Sequence, residues 1–390
     1  MKILMILDHE FPPDIRVENE IEALTKAEHE VHVACYTMEN RPSKENIGRF
    51  VIHRKSISRF IYKTSVGALK FPFYFNFWRS FITQLFKKEH FNAIHVHDLP
   101  LARIGYEFAG KHGCRFTLDL HENWPALLRV ATHTQSFLGK ILSSNRQWEA
   151  YEQDYCQKAD HVIVVVEEAK ERLITKGIPR ERISIVSNTL NFQHFEVPST
   201  KPDDKFFTLL YAGGINKHRG LQYIINGLSL LKNTTKPIRL LILGSGSYTT
   251  TLKELARSLG VDHMIEFTGW KNYKEMQDYF GRADICLIPH IKNDHTDSTI
   301  PHKLFQHMYA GKPTIASNCI PIKRIIEETN CGLVYVYNQP EDFAEKVSLL
   351  EESPELYNTF KENGIKAVKE KYNWNIDQQK LIDIYGREKR

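Results

Sequence analysis

Between Ser298 and Ser317 the chain reads STIPHKLFQHMYAGKPTIAS, and these residue types suit the capture of an anion. Pro301 and the hydroxyl residues Ser298 and Thr299 just before it are helix-start features, because proline fits a first turn and a hydroxyl can cap it. A helix start leaves backbone N–H groups without intrahelical partners and carries a positive partial charge. Ser298, Thr299 and Ile300 are therefore expected to offer N–H groups to a phosphate. Lys303 and Gln306 stand three residues apart on the helix that follows and share one face, where an ammonium and an amide could hold phosphate and ribose hydroxyls. A second stretch, YAGGINKHRG from Tyr211 to Gly220, follows an apolar run and opens another helix. Its glycines, Gly213 and Gly214, would let the backbone approach a phosphate, and Arg219 could clamp a diphosphate in bidentate fashion. Taken singly, each feature also reads as surface capping or a tight turn.

Two further turns are weaker. Gly244-Ser-Gly246 follows a strand-like run but lacks the third glycine and the acidic residue of a dinucleotide fingerprint, so an oxidoreductase rests on very little. The strand end at Glu266-Phe-Thr-Gly-Trp270 is bland by itself.

The elements that would position these loops follow from periodicity. Short apolar runs at Ile3–Leu7, Val31–Cys35, Ala93–His97, Phe116–Leu120 and Val162–Val166 read as buried strands, with helical patterns such as Val17–Lys26 and Gln147–Gln157 between them. The pattern restarts after Asn188 with six more runs, at Leu209–Ala212, Leu240–Leu243, Ile265–Thr268, Ile285–Ile288, Thr314–Ala316 and Gly332–Tyr335. This predicts an α/β protein of two doubly wound Rossmann-like domains, spanning 1–190 and 191–370, that face each other across a cleft. The last helical segment, 371–390, is expected to pack back on the first domain.

At 390 residues the chain is long enough for two such domains. Its 42% hydrophobic and 25% charged residues are ordinary for a globular protein. The six cysteines are scattered without a C-x-x-C pair or clustered histidines, which argues against a zinc site or a disulfide framework and for a reducing cytoplasm. The N-terminal MKILMILDHEF reads as a first strand, not a signal peptide.

The net charge of +5 is unevenly spread: from Asn46 to Lys88 there is no acidic residue, while Arg49, Arg59, Lys63, Lys70 and Arg79 are among nine basic ones. Aromatic residues from Phe60 to Phe86 interleave with them, a combination suited to an anionic membrane surface. Phe71–Phe86 is too short and too interrupted to span a bilayer. The competing reading is that Phe73, Phe77 and Phe81, at helical spacing, form the core face of a helix. No nucleic-acid motif accompanies the basic run.

In order along the chain, these pieces resemble the retaining glycosyltransferase family 4, glycosyl transferases group 1, of GT-B fold. The resemblance spans nearly the whole chain and is most specific at Ser298–Ser317, Gly213–Gly220, Ala283-Asp284 and the ending from Tyr372-Asn-Trp374 to Tyr385. It implies a nucleotide-sugar donor, UDP- or GDP-linked, in the C-terminal domain and an acceptor on the N-terminal one. In the first domain, Pro12-Pro13-Asp14-Ile15-Arg16 resembles the loop of a subgroup with Asp-x-Arg before the helix. His95-Val-His97-Asp98 and Asp119-Leu-His121-Glu122 look like the family's two strand-end histidine motifs.

Carried over, His121, Arg219 and Lys303 would serve the reacting centre. Gly213, Gly214, Lys217, Gly244, Trp270, Ser298, Thr299, Ile300 and Gln306 would bind the donor, and Asp14, Arg16, His97 and Glu122 the acceptor. The family pattern has glutamates where Ser298 and Gln306 stand, and often a phosphate-binding arginine where Gly214 stands. The resemblance implies a retaining, metal-independent hexosyltransferase without cofactor, acting on a glycan or lipid-linked acceptor in cell-surface polysaccharide synthesis. The altered positions keep a second reading open, an inactive GT-B partner subunit that binds nucleotide sugar or glycan. The expected site of action is the cytoplasm, peripheral on the inner face of the plasma membrane.

Overall fold

The computed structural model describes residues 1–130, 143–196, 200, 202–231 and 234–386, with Tyr273 and Lys274 as backbone alone. Two units divide the chain, Met1–Asn188 together with the residues from Asn375 on, and Thr189–Trp374.

Apolar runs without alternation belong in sheets covered on both faces, and each run read as a strand lies in such a sheet. The first unit contains β1 (Lys2–Ile6), β2 (Glu30–Thr37), β3 (Lys44–Ile47), β4 (Phe50–Ser56), β5 (Ala93–His97), β6 (Arg115–Leu120), β7 (His161–Val164) and β8 (Ile183–Ile185). Their order is β3-β4-β2-β1-β5-β6-β7-β8, parallel except for the antiparallel edge strand β3. β5 and β6 are buried along their whole length. The second unit holds β9 (Phe207–Ala212), β10 (Ile238–Leu243), β11 (Ile265–Gly269), β12 (Ile285–Ile288), β13 (Thr314–Ser317) and β14 (Gly332–Tyr335), in the order β11-β10-β9-β12-β13-β14. All five of its pairings are parallel.

Among the parallel strands of each sheet the order reverses once. In the first, β1 lies between β2 and β5; in the second, β9 lies between β10 and β12. Loops leaving the carboxyl ends of the two strands at a reversal diverge to opposite faces and leave a crevice, where open α/β sheets bind ligands. The crevices adjoin Leu7 and His97 in the first unit, and Ala212 and Ile288 in the second.

β4 occupies part of the basic stretch that was expected to face a membrane. The helix Phe73–Phe86 buries Tyr74, Phe75, Trp78, Phe81, Ile82 and Leu85, so most of its aromatics are core. Exposure is confined to Phe60, Tyr62, Phe71 and Phe73, at 68%, 41%, 46% and 48%. No helix among the described residues is long and apolar enough to cross a membrane.

The helix Trp374–Gly386 belongs to the first unit from Asn375 on. It buries Leu381, Ile384 and Tyr385 there. The Tyr385 hydroxyl lies 2.7 Å from His95 Nδ1, and Arg115 donates to the Ile384 carbonyl at 2.5 Å.

Candidate functional site

In the second unit, β9 ends in the Gly213-Gly214 turn and β10 in Gly244-Ser-Gly246, and the two loops touch. A Cβ on Gly244 would lie 1.9 Å from the Gly213 carbonyl oxygen, and one on Gly246 would lie 2.1 Å from that of Ile215. These glycines exist because backbone packs on backbone, which accounts for the Gly-x-Gly pattern without a dinucleotide. Gly220 lies at φ +78°, and its Cβ would meet the Pro289 carbonyl oxygen at 1.7 Å, so the β9 and β12 loops are also pressed together at the reversal point. A hollow of about 220 Å³ opens beside them, lined by Gly213, Gly214, Gly244, Lys271 and the exposed Trp270 among others.

Lys303 reaches into this loop cluster. Its ammonium donates to the Ala212 carbonyl at 2.8 Å and sits 4.8 Å above the Tyr211 ring, while the Tyr211 hydroxyl donates to the Gly214 carbonyl at 2.7 Å. A Cβ at 213 would come within 2.8 Å of the ammonium nitrogen and displace it from this position. Arg219 donates to His290 Nε2 at 3.0 Å, and its Nε has no partner among the described residues.

The surroundings are one-signed. Burial and then Arg219 push Lys303 down to about 7. Burial, with Arg219 adding to it, keeps His290 well below its ordinary value and brings His295 to about 4. Neither Lys303 nor Arg219 has a carboxylate ion-pair partner among the described residues. Buried or half-buried cations without a counter-ion cost free energy, and an anion bound beside them would relieve it.

The loop before Lys303 is closed differently from expectation. The Ser298 N–H donates to the His295 carbonyl at 3.0 Å and its hydroxyl to the Asp294 carbonyl at 2.7 Å, so both Ser298 donors are spent inside the loop. Thr299 is extended, and the helix proper begins at Lys303. Gln306 is buried at 4% exposure one turn into that helix. Lys217 is exposed in the turn that ends at Arg219.

In the first unit, Arg16 and Asp14 do not present free side chains to an acceptor. Asp14 caps the helix Ile15–Lys26 by accepting from Val17 N–H at 3.1 Å, and it lies 3.0 Å from His9 Nε2. Burial works against its charge, but His9 and the Val17 N–H hold the carboxyl well below the usual range. Arg16, with 9% of its side chain exposed, forks onto Asp119 at 2.8 and 3.2 Å and lies 3.1 Å from Glu20. His97 is buried; its Nδ1 lies 3.2 Å from His121 Nε2 and 3.4 Å from Asp119. His121 keeps 14% of its side chain exposed, and Glu122 beside it is half-buried.

Asp119 is the hub of this group and was not among the expected site residues. Its place two residues before His121 was visible in the sequence, but the partner that gives it meaning, Arg16, is 103 residues away. Glu20, His95, His97 and Asp119 bring donor atoms within 4.8 Å of one another, residue types that hold divalent metals elsewhere. Here the guanidinium of Arg16 already stands against both carboxylates and supplies the positive charge.

Comparison with known proteins assigns residues 192–367 to the family model described as glycosyl transferases group 1 and residues 15–194 to glycosyltransferase family 4. An uncharacterized glycosyltransferase of Methanocaldococcus jannaschii is 22% identical over 99% of this chain and 98% of its own length. The amylovoran biosynthesis glycosyltransferase AmsK of Erwinia amylovora is 22% identical over 50% of this chain and 49% of that protein. Among solved structures, sucrose-phosphate synthase from Thermosynechococcus elongatus matches with a TM-score of 0.78 at 16% identity, covering 99% of this chain and 98% of that one. HepE of Anabaena, in complex with UDP, matches with a TM-score of 0.75 at 12% identity, covering 99% and 100%. At such identities the structural likeness is one of fold.

Proposed function

Because the chain belongs to the group 1 and family 4 glycosyltransferases and has their GT-B fold, we propose that it transfers a hexose with retention from a nucleotide-diphosphate donor to a glycan or lipid-linked acceptor. The observation that carries this reading is the pairing of Lys303 and Arg219 at the β9/β12 reversal without a carboxylate to balance them. A donor's diphosphate would supply the missing charge. The occurrence of UDP in the related HepE structure supports a nucleotide donor, and the amylovoran enzyme among the relatives supports a role in surface polysaccharide synthesis.

The chemistry follows from the charges. As the bond between the anomeric carbon and the β-phosphate oxygen breaks, the leaving diphosphate gains negative charge and the sugar becomes cation-like. Fixed cations aimed at the leaving group are therefore worth more in the transition state than in the ground state. Lys303 and Arg219 are suited to that role. For retention, the acceptor oxygen bonds to the anomeric carbon on the face the phosphate leaves, and its proton passes to the departing phosphate oxygen. In this reading the chain's own residues suffice without a metal.

The acceptor side of the proposal rests on an exposed aromatic patch. Phe60, Phe71 and Phe73 form one cluster, with ring centroids 6.5 Å apart for Phe60 and Phe73 and 6.4 Å for Phe71 and Phe73. Arg59, Lys63 and Lys70 are exposed around it. Such a patch fits the headgroup level of an anionic bilayer and a cytoplasmic protein that works at the membrane surface on lipid-linked acceptors.

Isothermal titration with UDP, GDP and their sugars tests the donor assignment. Binding of at least one, followed by release of the free nucleotide diphosphate when acceptor is supplied, is the expected result. Failure to bind any common nucleotide sugar would overturn it. Gln306 and Gly214 favour a second reading, a partner subunit that binds the nucleotide sugar without turning it over.

A further inference from the structure

His121 stands at the end of β6 between two carboxylates. Its Nε2 lies 2.8 Å from Asp119 Oδ2, its Nδ1 lies 3.5 Å from Asp98 Oδ2, and its backbone N–H donates to Asp98 Oδ1 at 3.1 Å. Ionised carboxylates accept hydrogen bonds and cannot donate them, so this setting suits a ring with a proton on each nitrogen. Asp119 is fully buried and would not keep its charge alone. Arg16 supports it through two bonds, and Arg16 is itself anchored by Nη1 donating to Val186 O and Asn188 Oδ1, each at 3.0 Å. Asp98 is held at φ 62° and ψ 162°, a backbone region that residues with a side chain rarely occupy. That strain is retained at the one position from which Asp98 reaches both the His121 ring and its N–H.

We propose that Asp98, Asp119 and Arg16 are positioning residues that present His121, to whatever substrate reaches the carboxyl ends of β5 and β6, as an oriented cation and not as a proton acceptor. The idea rests on the transferase reading only for what that substrate is. Of the other groups facing His121, Arg16 opposes charge on the ring directly and supports it through Asp119. His97, on β5, is kept neutral by burial and then His95, and is pushed down to about 3, so its Nδ1 can accept from His121 Nε2. From the helix Ile15–Lys26 and the loop before it come Arg16, Glu20, Asp14 and His9, with Glu20 pushed up by burial and Asp119. Burial opposes charge on the His121 ring, but Asp98 and Asp119 overcome it and raise it to about 9.

The experiment is a pH titration of the histidine side chains of the full chain by nitrogen-15 NMR, with His121 assigned from the spectrum of His121→Asn. The wild-type ring should stay protonated through pH 8, and Asp98→Asn should lower its midpoint by at least about one unit. Asparagine matches aspartate in size and shape, so this variant removes the charge without adding bulk at that backbone position. Asp119→Asn should do the same. In donor turnover, Asp98→Asn should lower kcat about 10²-fold, and its activity should fade at lower pH than that of the wild type. A wild-type midpoint near 6.5, a midpoint unmoved in Asp98→Asn, or a rate that rises as His121 loses its proton would each overturn the proposal. If no sugar is transferred at all, the NMR titration still decides the positioning role, and only the transferase reading falls.

Discussion

Lys303 rests its ammonium on the carbonyl oxygen of Ala212, 2.8 Å away, with the Tyr211 ring 4.8 Å beneath it and Arg219 lowering its proton affinity. A carbonyl stabilises the charge far less than a carboxylate would, so the site is poised to take up a proton together with an anion. UDP affinity should therefore change little below pH 7, the region to which burial and Arg219 push Lys303. Above it, affinity should fall by up to about tenfold per pH unit. Calorimetry in buffers of different ionisation heat should show proton uptake at pH 8. Lys303→Met should weaken UDP binding roughly 10- to 100-fold and flatten this pH dependence.

The same residue should trade stability for binding. Its folded value lies below the ordinary 10.5, so its charge destabilises the fold increasingly as pH falls from 10.5 to about 7, and fully below that. Lys303→Met is expected to raise the melting temperature by about 2–4 °C at pH 6 and by less at pH 9, read by scanning fluorimetry. A lower melting temperature at pH 6 would contradict this sign.

Two glycines of one loop should fail in different ways. At Gly220 a methyl group meets the Pro289 carbonyl at 1.7 Å, in a left-handed conformation, and backbone cannot step aside. Gly220→Ala should cost on the order of 2–4 kcal/mol in denaturant unfolding. At Gly213 the nearest atom is the Lys303 ammonium at 2.8 Å, the end of a flexible side chain. Gly213→Ala should lose less stability than Gly220→Ala and lose UDP binding with it.

For the membrane surface, replacing Phe60, Phe71 and Phe73 by serine should reduce co-sedimentation with phosphatidylglycerol vesicles more than tenfold. Nucleotide binding should be untouched, since these rings are exposed already. Charge reversal at Lys63 and Lys70 should act in the same direction and depend on salt. Arg79 differs: it forms an ion pair with Glu107 at 2.6 Å, and reversing it should affect folding more than vesicle binding. Trp78→Ala should cost about 3–5 kcal/mol because that ring is core.

Gln306→Glu separates enzyme from partner subunit. The new carboxylate would lie one helical turn from Lys303, and its charge-assisted bond to a ribose hydroxyl is roughly twice as strong as a neutral one. An active transferase should keep or improve its donor affinity and turnover, measured as nucleotide diphosphate release. A chain that binds donor with Glu at this position and still releases none would be a partner.

The strands read from the sequence were legible because each carries a short apolar run, and the helix Ile15–Lys26 because its segment from Val17 on is periodic. β4 was hidden by its polar residues: Arg54 reads as surface charge, yet it is buried on the Phe11 carbonyl and Glu45, and His53 is stacked on His32. The glycine loop and Lys303 were legible because local backbone chemistry demands those types. Arg16 was not, since an arginine in an Asp-x-Arg turn looks like a ligand contact until Asp119 and Asn188 arrive from distant parts of the chain. The bonds of Ser298 were hidden for the reverse reason: its N–H and hydroxyl donate to carbonyls only three and four residues back.

The helix that opens at Trp374 has a consequence for how the chain is made. Because the first unit is left at Asn188 and resumed at Asn375, the second is in effect an insertion within it. A ribosome releases all of Thr189–Trp374 before the segment bearing Ile384 and Tyr385 emerges. Until then Arg115 lacks the carbonyl it donates to, and His95 lacks the phenol beside it. The unit bearing His121 therefore cannot complete these contacts before the whole of the second unit has been synthesised.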